Sequence, residues 1–246
     1  MSKTPPEPKD GYPMRLNKYL AHQGLATRRG ADELIAKKKI ILNGKIAVLG
    51  DKVNEHDKVE VAGTIPTKGD YLYYAYNKPV GVITHSPQIG EKDIKQTLAK
   101  ERGMQDVYPV GRLDKDSGGL LILTNDGRVT DRLLSPRYDH DKEYRVRTLD
   151  PLRDSFKKFM EAGVDIEGYL TQPCKVRKTG PKTFNITLTE GKKHQIRRMV
   201  SAMHNQVVDL ERTRILNIRL ENLQPGSWRA IKGEELNVFL GELGLN

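Results

Sequence analysis

A run of four apolar residues, at positions 120–123, follows directly on the glycine pair Gly118 and Gly119. An apolar run of this length without alternation is expected of a strand buried on both faces, so other elements must cover it above and below. Glycines before such a strand allow a tight turn or the close approach of a ligand. The segment therefore predicts an inner strand of a covered sheet, with the carboxylate of Asp114 in the turn before it.

The chain after residue 70 is richer in strand patterns than in helix patterns. β-Branched and aromatic residues predict strands at residues 71–76, 120–124, 143–149, 183–188 and 214–220. Apolar residues at helical spacing predict helices at residues 154–160 and 194–203. The fold class that follows is α+β, dominated by a sheet.

The chain before residue 63 predicts a small separate unit. Apolar residues at helical spacing indicate two short helices, the first ending near Gly24 and the second capped by Thr27. The dipeptide Asn43-Gly44 favours a type I′ turn. Strands are expected around this turn and later in the unit, at residues 40–42, 45–48 and 58–61.

The boundary between the two units is predicted at residues 63–70, GTIPTKGD, which hold two glycines and a proline between apolar strands. Two domains also suit a chain of 246 residues, because one domain usually has about 100–150. The predicted organisation is a flexible tail at residues 1–13, a small domain at 14–62, the linker, and a larger domain at 71–246.

The composition excludes some classes of protein and favours others. The chain has 42 Lys and Arg against 32 Asp and Glu, a net charge of +10, which attracts nucleic acid, although many proteins are basic for solubility alone. No apolar run approaches the roughly 20 residues that cross a bilayer, and the first residues lack the apolar stretch of a secretory signal. A membrane or secreted protein is therefore not expected.

Cysteine and histidine limit the chemistry further. Cys174 is the single cysteine, so no internal disulfide can form, and a reducing compartment, the cytoplasm, is expected. None of the six histidines stands with Cys or Glu at the spacing of a zinc or iron site, so we expect no metal.

Five cations of the small unit are candidates for holding RNA phosphates: Arg15, Lys18, Arg28, Arg29 and Lys45. A charged face is by default solvated surface, but the arrangement here is more telling than the count. Residues 14–62 resemble the S4 RNA-binding domain, with R-L-x-K-x-L at 15–20, R-R-x-A-x-x-x-I at 28–35 and N-G-K at 43–45. Thr27 replaces the usual serine and keeps its hydroxyl. The resemblance implies binding of structured RNA through its backbone and shape.

Asp114 lies in the string GRLDKDSGGLLILTNDG, residues 111–127. A lone R-L-D would indicate a turn in which Asp114 caps the backbone or pairs with Arg112. The whole string is similar to the signature of the pseudouridine synthases, G-R-L-D-x-x-[ST]-x-G-L-L-x-L-T-N-D-G, and matches it at every specified position. The resemblance implies that Asp114 is the catalytic aspartate of an enzyme that isomerises uridine in RNA to pseudouridine without a cofactor.

Three further segments extend the resemblance: N-K-P-x-G at 77–81, K-E-Y at 142–144 and E-G-x-x-x-Q-I-R-R-M at 190–199. With the S4 unit in front and E-R-T-R-I at 211–215, the chain is similar to the Rsu/Rlu ribosomal group, in particular its RluF-like large-subunit members. The resemblance covers residues 14–231 and implies a mixed, mainly antiparallel sheet with flanking helices. One departure is Lys192, Lys193 and His194, where this group often has Arg-Asn-Arg, so RNA contacts or substrate choice are in question.

The resemblance also assigns roles to single residues. It gives Arg197 the role of orienting Asp114 and leaves Arg198 as a phosphate contact or a structural partner, although both could simply be solvated. It places the ring of Tyr144 against the target uracil, where the alternative is an ordinary core tyrosine. Arg112 would fill the space that the flipped base leaves, or else clamp a phosphate. Attack at C1′ and addition at C6 both stay open for the carboxylate.

The partner that follows is structured RNA, above all a stem-loop of large-subunit ribosomal RNA, with a transfer RNA as an open second substrate. We expect no membrane partner, and we expect the protein to be a monomer. The alternative function is a catalytically silent RNA-binding or ribosome-assembly factor, against which the presence of Asp114, Tyr144 and Arg197 argues. A glycoside hydrolase with Asp114 and Asp116 as its carboxylate pair is disfavoured, because one residue separates them and no aromatic sugar platform is evident.

Overall fold

The computed structural model describes residues 11–23, 25–26, 28–62, 71–84, 94–98, 104, 107–135 and 138–245. The predictions made for most of the N-terminal tail, for Gly24, for Thr27 and for the linker at 63–70 lie outside these ranges. No helix in the described part of the chain is long and apolar enough to cross a membrane.

The small unit contains two helices and short strands around one core. Its elements are β1 (Met14–Arg15), α1 (Leu16–His22), α2 (Arg28–Ala36), β2 (Ile40–Leu42), β3 (Lys45–Ile46), β4 (Lys52–Val53) and β5 (Val59–Val61). One sheet has the order β3-β2-β5, and β1 pairs with β4. Leu16 and Leu20 of α1 pack with Ala31 and Ile35 of α2 in the buried core, so the predicted apolar stripes are confirmed.

The turn between β2 and β3 forms as the sequence predicts. Leu42 pairs with Lys45, which leaves Asn43 and Gly44 as the two turn residues. Both have positive φ, 51° and 78°, as a type I′ turn requires. The Asn43 side chain adds bonds to Asp57 and to the amide of Lys58, so the hairpin is tied to the chain leading into β5.

The larger unit is built on one sheet. Its elements are β6 (Tyr73–Lys78), α3 (Ile94–Leu98), β7 (Tyr108–Val110), β8 (Gly118–Thr124), α4 (Gly127–Leu134), β9 (Lys142–Thr148), α5 (Phe156–Ala162), β10 (Lys175–Gly180), β11 (Thr183–Leu188), α6 (Gln195–Ala202), β12 (Val207–Ile215), β13 (Ile218–Arg219), β14 (Trp228–Ala230) and α7 (Gly233–Glu242). The main strand order is β10-β11-β9-β12-β8-β6-β14, with β7 on β8 and β13 on β12. The pair β8–β12 is parallel and the other pairs are antiparallel, which confirms the mixed, mainly antiparallel α+β fold.

Strand β8 is covered on both sides, as its apolar run predicts. All seven of its residues are buried. Leu120 and Ile122 pack in one cluster with residues of α4 and α7, whereas Leu121 and Leu123 pack in another with residues of α3. A third cluster joins α5 and α6 to β9, β10 and β11. The central position of β8 fixes the loop that precedes it.

The strand predicted at residues 214–220 is wrong in its bounds. Strand β12 already begins at Val207 and ends at Ile215, and the chain then reverses through Leu216, whose φ is 50°, into β13. Charged side chains in β12 hide its strand pattern. The helices α3, α4 and α7 and the strands β7, β10 and β14 were not predicted, since each is short or carries mixed polar residues.

Gly119 lies opposite Arg212 where β8 pairs with β12. It has a φ of +104°, and a Cβ there would lie 2.4 Å from the carbonyl oxygen of Arg212 and 2.6 Å from its nitrogen. We expect Gly119→Ala to lower the free energy of unfolding by about 3 kcal/mol, because both contacts are with backbone. The loss of stability can be measured by urea unfolding, followed by the fluorescence of Trp228. This residue is the single tryptophan and lies in β14 of the same sheet. Gly191→Ala, where a Cβ meets nothing within 4 Å, should change stability little; equal losses in the two variants would contradict the steric reason.

Candidate active site

The loop between β7 and β8 carries Asp114. The amide of Ser117 donates to the Asp114 carbonyl at 3.1 Å, which closes a turn directly before the buried strand. The Asp114 side chain is 38% exposed. The carboxylate of Asp114 is thus accessible to a ligand at the surface. It lies directly before the buried strand β8 and so close to an apolar interior.

The loop is held on both sides of Asp114 by the chain that follows β6. The hydroxyl of Thr84 donates to the carbonyl of Leu113 at 3.0 Å, and the amide of Gly81 donates to the carbonyl of Lys115 at 2.8 Å. These bonds restrain the two residues that flank Asp114. The carboxylate is therefore positioned by a fixed backbone.

Lys78 is a fully buried cation at the end of β6, where it pairs with Gly119 of β8. Its ammonium group donates to the carbonyls of Pro79, at 3.0 Å, and Val82, at 2.8 Å. Burial lowers the pKa of Lys78 to about 8, and the negative charges of Asp114 and Asp116 partly oppose that shift. The positive charge of Lys78 is thus buried inside the protein, close enough to act electrostatically on the loop that carries Asp114.

Arg212 is a second buried cation, 4% exposed, on β12. Its Nε donates to the carbonyl of Leu120 at 2.8 Å and its Nη1 to the carbonyl of Arg112 at 3.4 Å. In the register of the sheet Arg212 lies directly opposite Tyr144 of β9, so the two side chains share one face. Arg212 therefore links the strand of Tyr144 to the loop of Asp114.

Helix α6 brings Arg197 to the loop, although not to the carboxylate. Its Nη2 donates to the Asp116 carbonyl at 2.7 Å and to the Ser117 hydroxyl at 3.4 Å. Within the described part of the chain, the group that pairs with the carboxylate is His194, whose Nε2 lies 3.4 Å from Oδ1 of Asp114. The orienting role expected of Arg197 stays a prediction; in this structure the arginine acts on the backbone of the loop.

The other site residues of the larger unit lie in different surroundings. Tyr144 is half-buried against the cluster that contains Ile196, and Arg112 is exposed beside Asp114. Arg198 donates to the Ile166 carbonyl and to Glu167, both at 2.8 Å. A structural pairing thus occupies the Arg198 guanidinium.

The cations of the small unit lie outside its core. Three of them are exposed: Arg15 on β1, Arg28 on α2 and Lys45 on β3. Lys18 is half-buried on α1. The side chain of Arg29 lies outside the described atoms. In the part of the chain that the structure covers, no group of three or more His, Cys, Asp or Glu side chains is placed to hold a metal ion.

Sequence reasoning gave no role to Lys78, Arg212 or His194, although each lies inside a segment that matched the family. The sequence alone does not reveal the place of Arg212, because its burial, two positions from the buried Leu210 on β12, is seen only in the structure. A charged side chain at a core position of a strand needs hydrogen-bond partners inside the protein. Such a position is worth testing as part of a site.

Comparison with known proteins agrees with this geometry. The family model for RNA pseudouridylate synthases matches residues 72–202, more than half of the chain. The chain belongs to this family. The model for the S4 domain matches residues 14–59. The protein is an RNA pseudouridine synthase with an N-terminal S4 domain, as the sequence resemblance implied.

Individual relatives give the same result. The dual-specificity RNA pseudouridine synthase RluF of Escherichia coli strain K12 is 42% identical over 226 residues, which cover 91% of this chain and 77% of the relative. The ribosomal large subunit pseudouridine synthase B of Bacillus subtilis strain 168 is 35% identical, covering 90% of this chain and 93% of the relative. A crystal structure of a pseudouridylate synthase superimposes with a TM-score of 0.67 at 28% identity, covering 94% of this chain and 99% of the other.

Proposed function

We propose that this synthase converts a uridine in a stem-loop of large-subunit ribosomal RNA to pseudouridine, with Asp114 as the attacking carboxylate. The observation that carries the proposal is the setting of Asp114: its side chain is exposed to a ligand while the backbone on both sides is fixed by Thr84 and Gly81. The Bacillus subtilis relative is named as a ribosomal large subunit pseudouridine synthase, which supports the choice of large-subunit RNA.

The reaction needs a nucleophile and no redox partner. The N1–C1′ bond of uridine breaks, the uracil turns, and C5 bonds to C1′; the proton on C5 is lost and N1 gains one. An ionised carboxylate can start this by attacking C1′ or by adding to C6. The position of Asp114 suits both routes, since either atom can be brought to its exposed side.

Tyr144, Arg112 and Arg197 complete the proposed site. The target base leaves its stack at a cost of a few kcal/mol that is least in a loop. The half-buried ring of Tyr144, next to Arg212, offers a face for the extruded uracil. Arg112 is exposed beside the nucleophile and can fill the vacated space. Arg197 keeps the loop in place through the carbonyl of Asp116, and Arg198 braces the turn at Ile166.

Release of tritium from RNA labelled at uridine C5 tests the proposal. The substrate is bulk ribosomal RNA from a strain that lacks this protein, offered naked and as precursor particles. We expect release from large-subunit RNA. Bulk transfer RNA forms a second arm, because the RluF relative is named as having dual specificity. No release from any of these RNAs would favour the silent RNA-binding or ribosome-assembly factor.

The S4 domain is proposed to dock the RNA through phosphate contacts. Its exposed cations include Arg28 at the start of α2 and Lys45 on β3. We expect Arg28→Gln to weaken binding by a similar factor for all RNA sequences, and to reduce the slope of log affinity against log salt by about 1. Filter binding across a salt series measures it. Lys158→Gln, an exposed cation on α5, is the matched control; an equal change there would remove the docking role from Arg28.

The domain bounds, 14–62 and 71–246, the cytoplasmic location and the monomeric state belong to this proposal. The family matches at 14–59 and 72–202 support the bounds. Cys174, the single cysteine and a free thiol, supports a reducing compartment, because the chain can form no internal disulfide.

A further inference from the structure

His194 contacts the carboxylate of Asp114. Its Nε2 lies 3.4 Å from Oδ1, and the two side chains are 49% and 38% exposed. The imidazole therefore stands at the mouth of the site, within reach of water, and contacts one of the two carboxylate oxygens.

The turn before α6 is built to hold the imidazole there. His194 is the N-cap residue of the helix and has a φ of 53°, a conformation disfavoured for a residue with a Cβ. The surrounding turn is tied by hydrogen bonds: the amide of Lys192 donates to Oε1 of Gln195, and the side-chain nitrogen of Gln195 donates to Glu190. Tyr169 donates its hydroxyl to the same glutamate. These bonds fix the backbone from which His194 reaches Asp114.

We propose that His194 is a positioning residue of the pseudouridine synthase reaction, which contacts Oδ1 of Asp114 and leaves Oδ2 for the uridine without placing a permanent positive charge there. The inference rests on the proposed role of Asp114. A polar side chain without a permanent charge can hold the carboxylate in place by contact. A permanent cation at the same place would also stabilise the negative charge that the attack must consume, and so slow the attack.

Other charges surround this pair and must be separated from it. They are Lys115 and Asp116 on the loop, Lys192 and Lys193 on the turn, Arg197 on α6, and the buried Lys78. The variants are therefore compared with wild type at one pH, below the pKa of about 8 that burial gives Lys78, so that the charge of Lys78 is the same in all of them.

Three substitutions separate charge from position. His194→Gln supplies a neutral donor at every pH, and His194→Arg supplies a permanent cation. His194→Gly suits the φ of 53° and removes the side chain with no strain on the turn. His204→Gln is the matched control, because His204 is exposed at the other end of α6 and has a φ of 56°.

The experiment measures turnover at saturating RNA by tritium release, with folding checked by Trp228 fluorescence. We expect His204→Gln and His194→Gln to keep a rate close to that of wild type, and His194→Arg to be about fivefold slower, as suits a half-exposed charge pair. His194→Gly should also be slower, because no side chain then contacts Oδ1, so that the neutral polar side chain of His194→Gln restores the rate that glycine loses.

Two results would overturn the inference. Equal rates in wild type, His194→Arg and His194→Gly, with Asp114→Asn inactive, would remove the positioning role from His194 and leave the proposed function intact. Turnover by Asp114→Asn at the wild-type rate would overturn the inference together with the proposed nucleophile. The two failures are therefore distinguishable in one series.

Discussion

Asp114→Asn is expected to abolish tritium release, with turnover at least about 10⁴-fold lower, while affinity for RNA stays within a few-fold of wild type. The amide has nearly the shape of the carboxylate but cannot attack carbon. The backbone bonds that fix the loop, from Ser117 to the Asp114 carbonyl, from Thr84 to Leu113 and from Gly81 to Lys115, do not involve the side chain. Loss of turnover without loss of binding is thus the mark of a nucleophile.

Asp116→Asn is the matched control for that experiment. Asp116 lies in the same loop and is exposed, and it contacts Arg197 through its carbonyl rather than its carboxylate. We expect its turnover to stay within a few-fold of wild type. A variant series in which Asp114→Asn remains active and Asp116→Asn does not would move the reacting carboxylate by two residues along the loop.

The parts of the fold that the sequence predicted are those in which neighbouring residues alone decide the structure. The apolar run of β8 needs no distant information, because continuous apolarity demands cover on both faces. The stripe of α6 and the turn at Asn43 and Gly44 are equally local. Each of these elements lies within two residues of its predicted place.

Strand β12 shows why the remainder could not be predicted. Its sequence, VVDLERTRI, carries four charged residues, and Arg212 occupies a buried position. The carbonyls of Leu120 and Arg112 accept hydrogen bonds from its Nε and Nη1, and these residues are 92 and 100 positions away in the chain. A single sequence contains the cation but not its partners, so alternation alone points to an exposed strand.

The candidate site divides in the same way. Family resemblance supplied Asp114, Tyr144 and Arg197, because each lies in a short matched string. The contact between Asp114 and His194 depends on how α6 packs against the loop of Asp114. The distance between the two side chains cannot be read from a short sequence motif. The orienting role that the resemblance gives Arg197 stays a prediction; in the structure Nη2 of this arginine donates to the backbone carbonyl of Asp116.

Lys78→Met is expected to lower turnover about 100-fold, the usual effect of removing one preorganised charge from a site, without weakening RNA binding. Lys78 is fully buried and so cannot touch a phosphate. Its charge stabilises the anionic loop that holds Asp114 and Asp116. Methionine fills the same space without the charge. Equal loss of RNA affinity and turnover would contradict this reason, because it would indicate a general loss of structure.

The pH dependence of the wild type and of this variant provides the sharper test. The pKa of Lys78 is lowered from 10.5 to about 8, so the cation is present below pH 8 and is lost as the pH rises through that value. Wild-type turnover should therefore fall as the pH rises past 8. Lys78→Met should show no such fall. Stability should move the opposite way: between about pH 8 and 10.5 the unfolded chain binds more protons at Lys78 than the folded one, so its contribution to the free energy of unfolding rises with pH.

Lys142 is the matched control, because burial and the charge of Arg212 lower its pKa to about 8 as well. Its ammonium group donates to the His140 carbonyl, and its pKa does not respond to Asp114 as that of Lys78 does. Lys142→Met should therefore keep the alkaline fall in turnover that Lys78→Met loses. If Lys142→Met lost the alkaline fall and Lys78→Met kept it, the electrostatic role would belong to Lys142. The charge that acts on the site would then lie on β9, the strand of Tyr144, and not at the end of β6.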